Sequence, residues 1–499
     1  MDTQNFTAKL PAQVRKLGYY IDGAAREAGD RKTLVREAPG YLVPVSEVAL
    51  CTRQDLEEAV TAARRAFDGG AWSRCDAVIR AKVLMAAADG IRARLEELAY
   101  WETLETGKPI SQSRGEMEDA AGHYEFCAGA ARLLHGDSYN NQGEALFGVV
   151  TRQPSGVVGL ITPWNFPFIV LAERLPYILA SGNSVVVKPS ELTSTTTLIF
   201  ADILAEAGLP KGVYNVVTGT GPEVGQAMSE HMDIDIISFT GSTATGALVL
   251  KASATNFKKA SLELGGKNPQ IVFADADLDA AADGVAFAMC FNAGQCCVSG
   301  SRLVVEASVA KGFVARLKEK LARVRIGDCL DPDTQLGAVV TPEHQAKILS
   351  YVELGQQEGA QLALGGAACE GLSGRFIQPT ILENVRPEMR VAQEEIFGPV
   401  LSVIPFETAE EALQIANDCP YGLAASIWTK DIDKALQLMR GVHSGRTWVN
   451  TTIAGGPGQP MGGFKQSGIG REAGMLGIEE YTEVKSVHIA IGDRSPWVG

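Results

Sequence analysis

Val157-Val158-Gly159-Leu160-Ile161-Thr162-Pro163-Trp164-Asn165-Phe166-Pro167 opens with five apolar residues and closes with two prolines around an aromatic pair. An uninterrupted apolar run ended by a turn is the pattern of a strand buried on both faces. Short apolar runs recur at 184–187, 214–217 and 234–239, and the segments between them, roughly 169–180, 194–207 and 222–229, have helical character. Buried strands joined by helices predict a parallel sheet covered on both sides, an α/β fold. A second series follows Leu264, with strand patterns at 270–273 and 302–306 and helix patterns at 278–291 and 309–322, so a domain boundary is expected near 264–269. Upstream, 54–67 is helical in period, with Leu56, Val60, Ala63 and Phe67 on one face. Two stretches fit neither series: 137–151 and 482–490 are apolar on alternate residues. Edges of that kind commonly pair with a neighbouring subunit.

A chain of 499 residues is long enough for more than one domain. Its net charge of −14 argues against nucleic acid and anionic membranes as partners, since both attract basic surfaces. Residues 1–20 lack the apolar core of a secretory signal, and 157–172 is interrupted by prolines and too short to span a bilayer. The nine cysteines are irregularly spaced with no C-x-x-C pair, which suits reduced thiols in a cytoplasm. The six histidines are scattered, so no metal site is expected.

Chemistry enters at Gly294-Gln295-Cys296-Cys297 and at Glu263, 34 residues earlier (297 − 263) in Leu262-Glu263-Leu264-Gly265-Gly266-Lys267. A thiolate that adds to a carbonyl and a carboxylate that activates water can form and then hydrolyse a thioester. Alone, each is weak evidence, because a cysteine is usually a small buried hydrophobe and a glutamate a solvated charge. Phe239-Thr240-Gly241-Ser242-Thr243 follows a strand and opens a helix, where Gly241 permits close backbone approach and Ser242 can bind phosphate or simply cap the helix. Gly219-x-Gly221-x-x-x-Gly225 is a lesser Gly-rich turn. Lys188 and Glu191 lie just past a strand end, where open α/β sheets bind ligands. Glu191 can accept from ribose hydroxyls and repels a 2′-phosphate, which favours NAD over NADP; the pair also reads as a surface Lys–Glu contact. The Asn165 amide can donate to a developing oxyanion, or bond its own turn.

Asn165, Lys188, Glu191, Gly241-Ser242-Thr243, Glu263, Gly294-Gln295-x-Cys297, Glu395-Ile396-Phe397-Gly398-Pro399 and Gly462-Gly463-Phe464-Lys465-x-Ser467-Gly468 together resemble the NAD(P)-dependent aldehyde dehydrogenase superfamily, in its hydrolytic branch. The resemblance runs from about Tyr20 to the C-terminus. It implies a Rossmann-type NAD-binding domain over 1–135 and 155–265, an α/β catalytic domain over 266–465, and an oligomerisation β-arm from 136–154 and 480–499, assembled as homodimers or homotetramers. It also implies roles. Cys297 is the nucleophile, Asn165 and the Cys297 N–H form the oxyanion hole, and Glu263 is the base for deacylation. Lys188 and Glu191 hold the adenosine ribose, Gly241 and Ser242 the pyrophosphate, and Glu395 the nicotinamide ribose, with Trp164, Leu264 and Phe397 completing the cofactor site. Retention of Glu263 argues against a CoA-acylating reaction.

The same resemblance places Glu173, Ile453, Gly455 and Met461 along the substrate tunnel, with Phe166 and Phe291 still aromatic and Cys296 beside the substrate. Fewer rings predict a wider tunnel. Cys296 is expected to pack there, and a reversible disulfide with Cys297 under oxidant is a second role. Glu116 and Asp119, at i and i+3 of a helix pattern, resemble the acidic pair at the tunnel mouth of aminoaldehyde dehydrogenases. With Glu173 they would attract a cation; the alternative is ordinary solvated acids, with Glu173 paired to Arg174. A trimethylammonium group wants an aromatic cage, of which the sequence gives little sign, so an ω-aminoaldehyde is favoured over betaine aldehyde. Arg174 replaces a lysine common in this branch and associated with Glu472 in a proton path, which arginine serves poorly because it does not deprotonate. Competing readings are a broad aliphatic or aromatic aldehyde dehydrogenase, an esterase-like thiol enzyme, and a silent binding or structural protein of the same fold. The intact set Asn165, Glu263, Cys297 and Glu395 speaks against the last.

Overall fold

The run Val157–Ile161 is the central strand of an eight-stranded sheet in the computed structural model, which describes residues 10–493 and 497–498. Residues 1–9 of the expected NAD-binding domain, and 494–496 and 499 of the expected arm, lie outside the described residues. Five parallel strands lie in the spatial order Lys259–Glu263, Ile236–Thr240, Val157–Ile161, Ser184–Lys188, Tyr214–Val216. Numbered along the chain this is 5-4-1-2-3: the path runs outward in one direction, then returns to add two strands on the other side. That is the Rossmann-type doubly wound order, and its switch point lies between Val157–Ile161 and Ile236–Thr240. Every residue of Val157–Ile161 and Ser184–Lys188 is buried, as strands covered on both faces require.

A second, seven-stranded sheet runs Gln361–Leu364, Thr380–Glu383, Val400–Phe406, Gly300–Glu306, Asn268–Val272, Ala424–Trp428, Arg446–Val449, with only its first pair antiparallel. Residues 264–267 alone lead from the last of these five parallel strands, Lys259–Glu263, to Asn268–Val272 of the second sheet. Glu263 therefore stands at the junction of the two sheets.

Local chemistry explains several boundaries. The helix Arg53–Gly69 ends on Gly70 at φ 82°, the left-handed conformation that glycine adopts without steric penalty. The expected single helix over 169–180 is instead two, Pro167–Ala172 and Leu175–Ala180, because Arg174 leaves the helical region (φ −127°) ahead of Pro176. The expected helix at 222–229 begins as a wide turn over Gly221–Gly225 before continuing as Gln226–Glu230.

The orphan segments pair first with each other: Thr482–Ala490 runs antiparallel to Leu146–Pro154 along nine residue pairs, and Ser138–Tyr139 adds a third strand. Residues 33–49 do not join the cofactor sheet, but form a separate small sheet with Arg15–Leu17. Arg36 of that sheet donates to the carbonyls of Glu105 (3.1 Å) and Val340 (3.0 Å), bridging the two halves of the molecule. Among the described residues no helix is long and apolar enough to cross a membrane, and no cluster of acids, histidines and cysteines could hold a metal.

Candidate active site

The helix Leu278–Cys290 ends just before Asn292, Ala293 and Gly294, which all take left-handed conformations, at φ 48°, 55° and 71°. Two non-glycine residues in that region cost free energy that surrounding contacts must offset. Those contacts are present. The Asn292 N–H donates to Gln112 Oε1 (3.1 Å), and Asn292 Nδ2 donates to the Asn165 carbonyl (2.8 Å). The fully buried Gln295 donates to the Asn292 carbonyl (3.1 Å) and accepts from the Val340 N–H (2.9 Å). Gly294 admits no side chain, since a Cβ would lie 2.2 Å from the Gly398 carbonyl carbon. Downstream, Asn268 Nδ2 donates to the carbonyls of Cys297 and Ser299, both at 2.8 Å. Cys297 thus sits on a strained loop clamped from both sides.

Glu263 ends the edge strand of the parallel set, and Gly265-Gly266 let that strand end close on the loop. A Cβ on Gly266 would stand 2.5 Å from the Cys297 carbonyl oxygen, and one on Gly265 would stand 2.5 Å from Glu395 Oε2. Both Glu263 carboxylate oxygens are buried without a hydrogen-bond partner. Burial pushes this carboxyl up to about 8, with Glu472 and Glu173 adding to the rise and Arg174 opposing it. The Cys297 thiol is raised well above its ordinary range by its contact with Cys296, then by burial and the charges of Glu263 and Glu395. At neutral pH the pair rests as a neutral thiol beside a largely protonated carboxyl. Asn165 Nδ2 donates one N–H to the Gln295 carbonyl (2.9 Å), which aims its amide at the Cys297 loop and leaves a second N–H for an incoming oxygen.

Arg174 is buried behind Glu263, with Nε 3.4 Å from Glu472 Oε1 and a guanidinium nitrogen 3.9 Å from Glu173. Burial works against its charge, yet Glu472, Glu173 and Glu263 raise its pKa overall, so it stays protonated. Glu472 also accepts from Ser261 Oγ (2.7 Å) and Tyr481 OH (3.0 Å).

The carboxyl ends of the parallel strands hold a row of unmet polar groups: Thr162 Oγ1, Thr240 Oγ1 and both Glu263 oxygens are buried and unpartnered. Buried polar atoms without partners are rare and mark places where a ligand completes the bonding. They flank the switch point, where open α/β sheets bind nucleotides. Lys188, buried at the end of its strand, donates to the Pro189 carbonyl (3.1 Å) and lies 3.4 Å from Glu191. Ser242 caps the helix Thr243–Ser253 by accepting from the Thr245 N–H (3.2 Å), and Gly241 opens that turn. Leu264 packs on this helix, only 2.5 Å from where a Cβ on Gly246 would be. Glu395 accepts from the Gly266 N–H (3.0 Å) through one oxygen. Trp164 meets Phe397 edge-on at 5.4 Å. A buried cation beside Glu191, the helix N-terminus at Gly241-Ser242 and Glu395 on Gly266, gathered at the carboxyl ends of the strands, fit a nicotinamide dinucleotide.

Around Cys297, the residues Phe166, Val170, Cys296, Val298, Leu423, Ala424 and Trp448 form one buried apolar cluster against which Phe291, Ile453 and Met461 pack. Phe166 stacks on Phe291 with ring centroids 5.6 Å apart. Ile453 holds φ 48°, a strained conformation for a β-branched residue. The expected acidic pair divides. Glu116 is no tunnel charge: it is buried, with Oε2 2.6 Å from Lys108 Nζ. One turn later the helix Ile110–Ala130 exposes Asp119. Partial desolvation and the nearby charge of Glu173 push the Asp119 carboxyl up, while His123 pulls it down. Glu173 feels both Arg174 and Arg446, so the acids at this end are partly offset.

The model of the aldehyde dehydrogenase family matches residues 27–487. The chain belongs to the aldehyde dehydrogenase family. It is 44% identical to a betaine aldehyde dehydrogenase of Bacillus subtilis over 439 residues, 87% of this chain and 90% of that one. The crystal structure of an NAD-dependent aldehyde dehydrogenase from Sinorhizobium meliloti superposes with a TM-score of 0.96 at 45% identity, covering 97% of this chain and 96% of that one. A betaine aldehyde dehydrogenase from Staphylococcus aureus in complex with NAD+ superposes with a TM-score of 0.95 at 38% identity, covering 99% of each chain.

This aldehyde dehydrogenase also uses residues that sequence patterns did not single out. His344 bonds the Phe397 carbonyl through Nε2 (2.7 Å) and meets Trp164 edge-on at 5.4 Å; burial pushes it down to about 4, so it is a neutral spacer in an aromatic wall. Gln295 lies inside a quoted motif and Asn268 just after one, where their amides were the only available signal. Lys108 lies between two helices, and nothing local marks it as part of the site.

Proposed function

We propose that the protein oxidises a cationic aldehyde of the ω-aminoaldehyde class to its carboxylic acid with NAD+, using Cys297 as nucleophile. The observation that carries the chemistry is the closure of Glu263 onto the Cys297 loop through Gly265-Gly266, with the Asn165 amide aimed at the same point. The Cys297 thiol gives up its proton to solvent water, its sulfur adds to the aldehyde carbon, and Asn165 Nδ2 and the Cys297 N–H stabilise the resulting oxyanion. NAD+, when bound along the strand ends, supplies the hydride acceptor that turns the thiohemiacetal into a thioester. Glu263 then takes a proton from water, the hydroxide adds to the thioester carbon, and the Cys297 thiolate leaves as the acid forms. Lys188 and Glu191 hold the adenosine ribose, Gly241 and Ser242 the pyrophosphate, and Glu395 the nicotinamide ribose.

Asp119 and Glu173 support the cationic substrate, as does the likeness to betaine aldehyde dehydrogenases of two bacteria. A broad aliphatic or aromatic specificity is the second reading, favoured by the apolar lining of Phe166, Phe291, Ile453 and Met461 and by the neutralised Glu116. We further assign residues up to 265, apart from the arm, to cofactor binding, 266–465 to catalysis, and 136–154 with 480–499 to the contact of a cytoplasmic homodimer or homotetramer.

The test is initial NADH formation with 4-aminobutyraldehyde, betaine aldehyde, hexanal and benzaldehyde. The reading requires kcat/KM highest for the aminoaldehyde and reduced in D119N and E173Q. Hexanal or benzaldehyde ahead by about tenfold, roughly 1.4 kcal/mol of transition-state preference, establishes the broad apolar tunnel instead.

A further inference from the structure

Behind the tunnel wall lies an ion cluster that the chemistry above does not use. Lys108 follows the helix Leu95–Thr106 across the tight turn at Gly107, which has φ 85°. Its side chain is fully buried, with Nζ 3.2 Å from Glu102 Oε1 and 2.6 Å from Glu116 Oε2. Glu102 also accepts from Thr196 Oγ1 (3.4 Å), while Glu116 Oε1 has no partner. The third neighbour of the ammonium is aromatic: Nζ lies 4.2 Å from the centroid of the Phe166 ring. Phe166 follows Asn165 directly in sequence, stacks on Phe291, and packs in the cluster that includes Cys296 and Cys297.

We propose that Lys108 is a positioning residue for aldehyde oxidation, its ammonium fixing the Phe166 ring and through it the tunnel wall beside Cys297. A buried cation is costly to desolvate and is normally retained only with full compensation. Glu102 and Glu116 already occupy the polar bonding of the ammonium, so a ring placed as a third neighbour is held by the cation rather than needed by it. Cation–aromatic attraction gains strength where water is excluded. The two acids anchor the ammonium from the helices Leu95–Thr106 and Ile110–Ala130, so the Phe166 ring is referenced to rigid elements instead of to its own loop. Glu116 acts on substrates through this chain of contacts and not as a charge in the tunnel.

The inference rests on aldehyde turnover at Cys297, so wild-type oxidation of both acetaldehyde and hexanal is the control that separates its failure from failure of that reading. Removing Lys108 alone would leave two buried carboxylates facing each other, so the variant is K108M/E116Q, compared with E116Q. Loss of a desolvated cation–ring contact predicts a roughly tenfold rise in KM for hexanal, which spans the wall. For acetaldehyde, which does not reach it, KM and kcat hold within about twofold. In an E116Q/F166L background K108M should add nothing further, and K108R, which keeps the charge, should restore much of the hexanal KM. Equal KM changes for both aldehydes, or additive effects of K108M and F166L, overturn the proposal. If K108M/E116Q does not fold, K108Q/E116Q, which removes the charge but keeps a hydrogen-bond donor for Glu102, takes its place in the same cycle with F166L.

Discussion

Gly266 and Cys297 approach so closely that a methyl group on Gly266 would lie 2.5 Å from the Cys297 carbonyl oxygen and 2.7 Å from Asn268 Oδ1. The obstacle is backbone held by the Asn268 amide, which cannot swing aside as a surface side chain can. Gly266→Ala should therefore displace the nucleophile loop. A misplacement of about 1 Å costs roughly 100-fold in rate. The expected outcome is a fold of normal secondary structure by circular dichroism with kcat reduced by about that factor.

Glu263 is the base only when ionised, and burial holds its carboxyl near 8. Dehydrogenase activity should climb from pH 6 and level off above about pH 8.5, and E263Q should lose this rise together with thioester hydrolysis. Because the folded pKa exceeds the unfolded one, the ionised carboxylate destabilises the fold. That cost is absent below about pH 4.5, grows as pH rises through the interval to 8, and is complete above it. E263Q should melt higher than wild type at pH 9, by on the order of a few kcal/mol, and match it at pH 4.5. A wild type that is the more stable at pH 9 contradicts this account.

Asn165 donates one amide N–H to the Gln295 carbonyl, and the proposed chemistry gives the other to the reacting oxygen. Replacing it with alanine removes the second and frees the loop. By analogy with other oxyanion donors, Asn165→Ala should lower kcat by roughly 100- to 1,000-fold. Its KM for NAD+ should stay within a few-fold of wild type, which a general collapse of the site would not allow.

Glu191 lies 3.4 Å from Lys188 at the open end of the sheet. A carboxylate there repels a 2′-phosphate, and its removal leaves the lysine to attract one. Glu191→Ala should raise the ratio of kcat/KM for NADP+ to that for NAD+ by roughly tenfold or more. An unchanged ratio places the ribose elsewhere.

The strand Thr482–Ala490 exposes Val484 and Ile489, and Tyr139 and Ile491 are exposed close by. If this arm joins subunits, Val484→Asp with Ile489→Asp should shift the protein to a smaller species in sedimentation velocity. No change in mass would move the interface to another face.

The sequence alone determined what depends on near neighbours. Four of the five parallel strands were readable because strands covered on both faces are apolar throughout, as Val157–Ile161 is, whereas Lys259–Glu263, exposed at its start, was not. The family was readable because Glu263, Cys297 and Glu395 sit inside short motifs whose glycines have a local cause in close backbone contact. Tertiary structure alone decided the rest. That Thr482–Ala490 pairs with Leu146–Pro154, that Glu116 serves Lys108 and not the tunnel, and that Asn292 and Ala293 bear left-handed strain all depend on partners far away in the chain. Charge pattern at i and i+3 shows which residues share a helix face. It does not show what stands opposite that face, and in a low-dielectric interior the opposite partner settles what a carboxylate does.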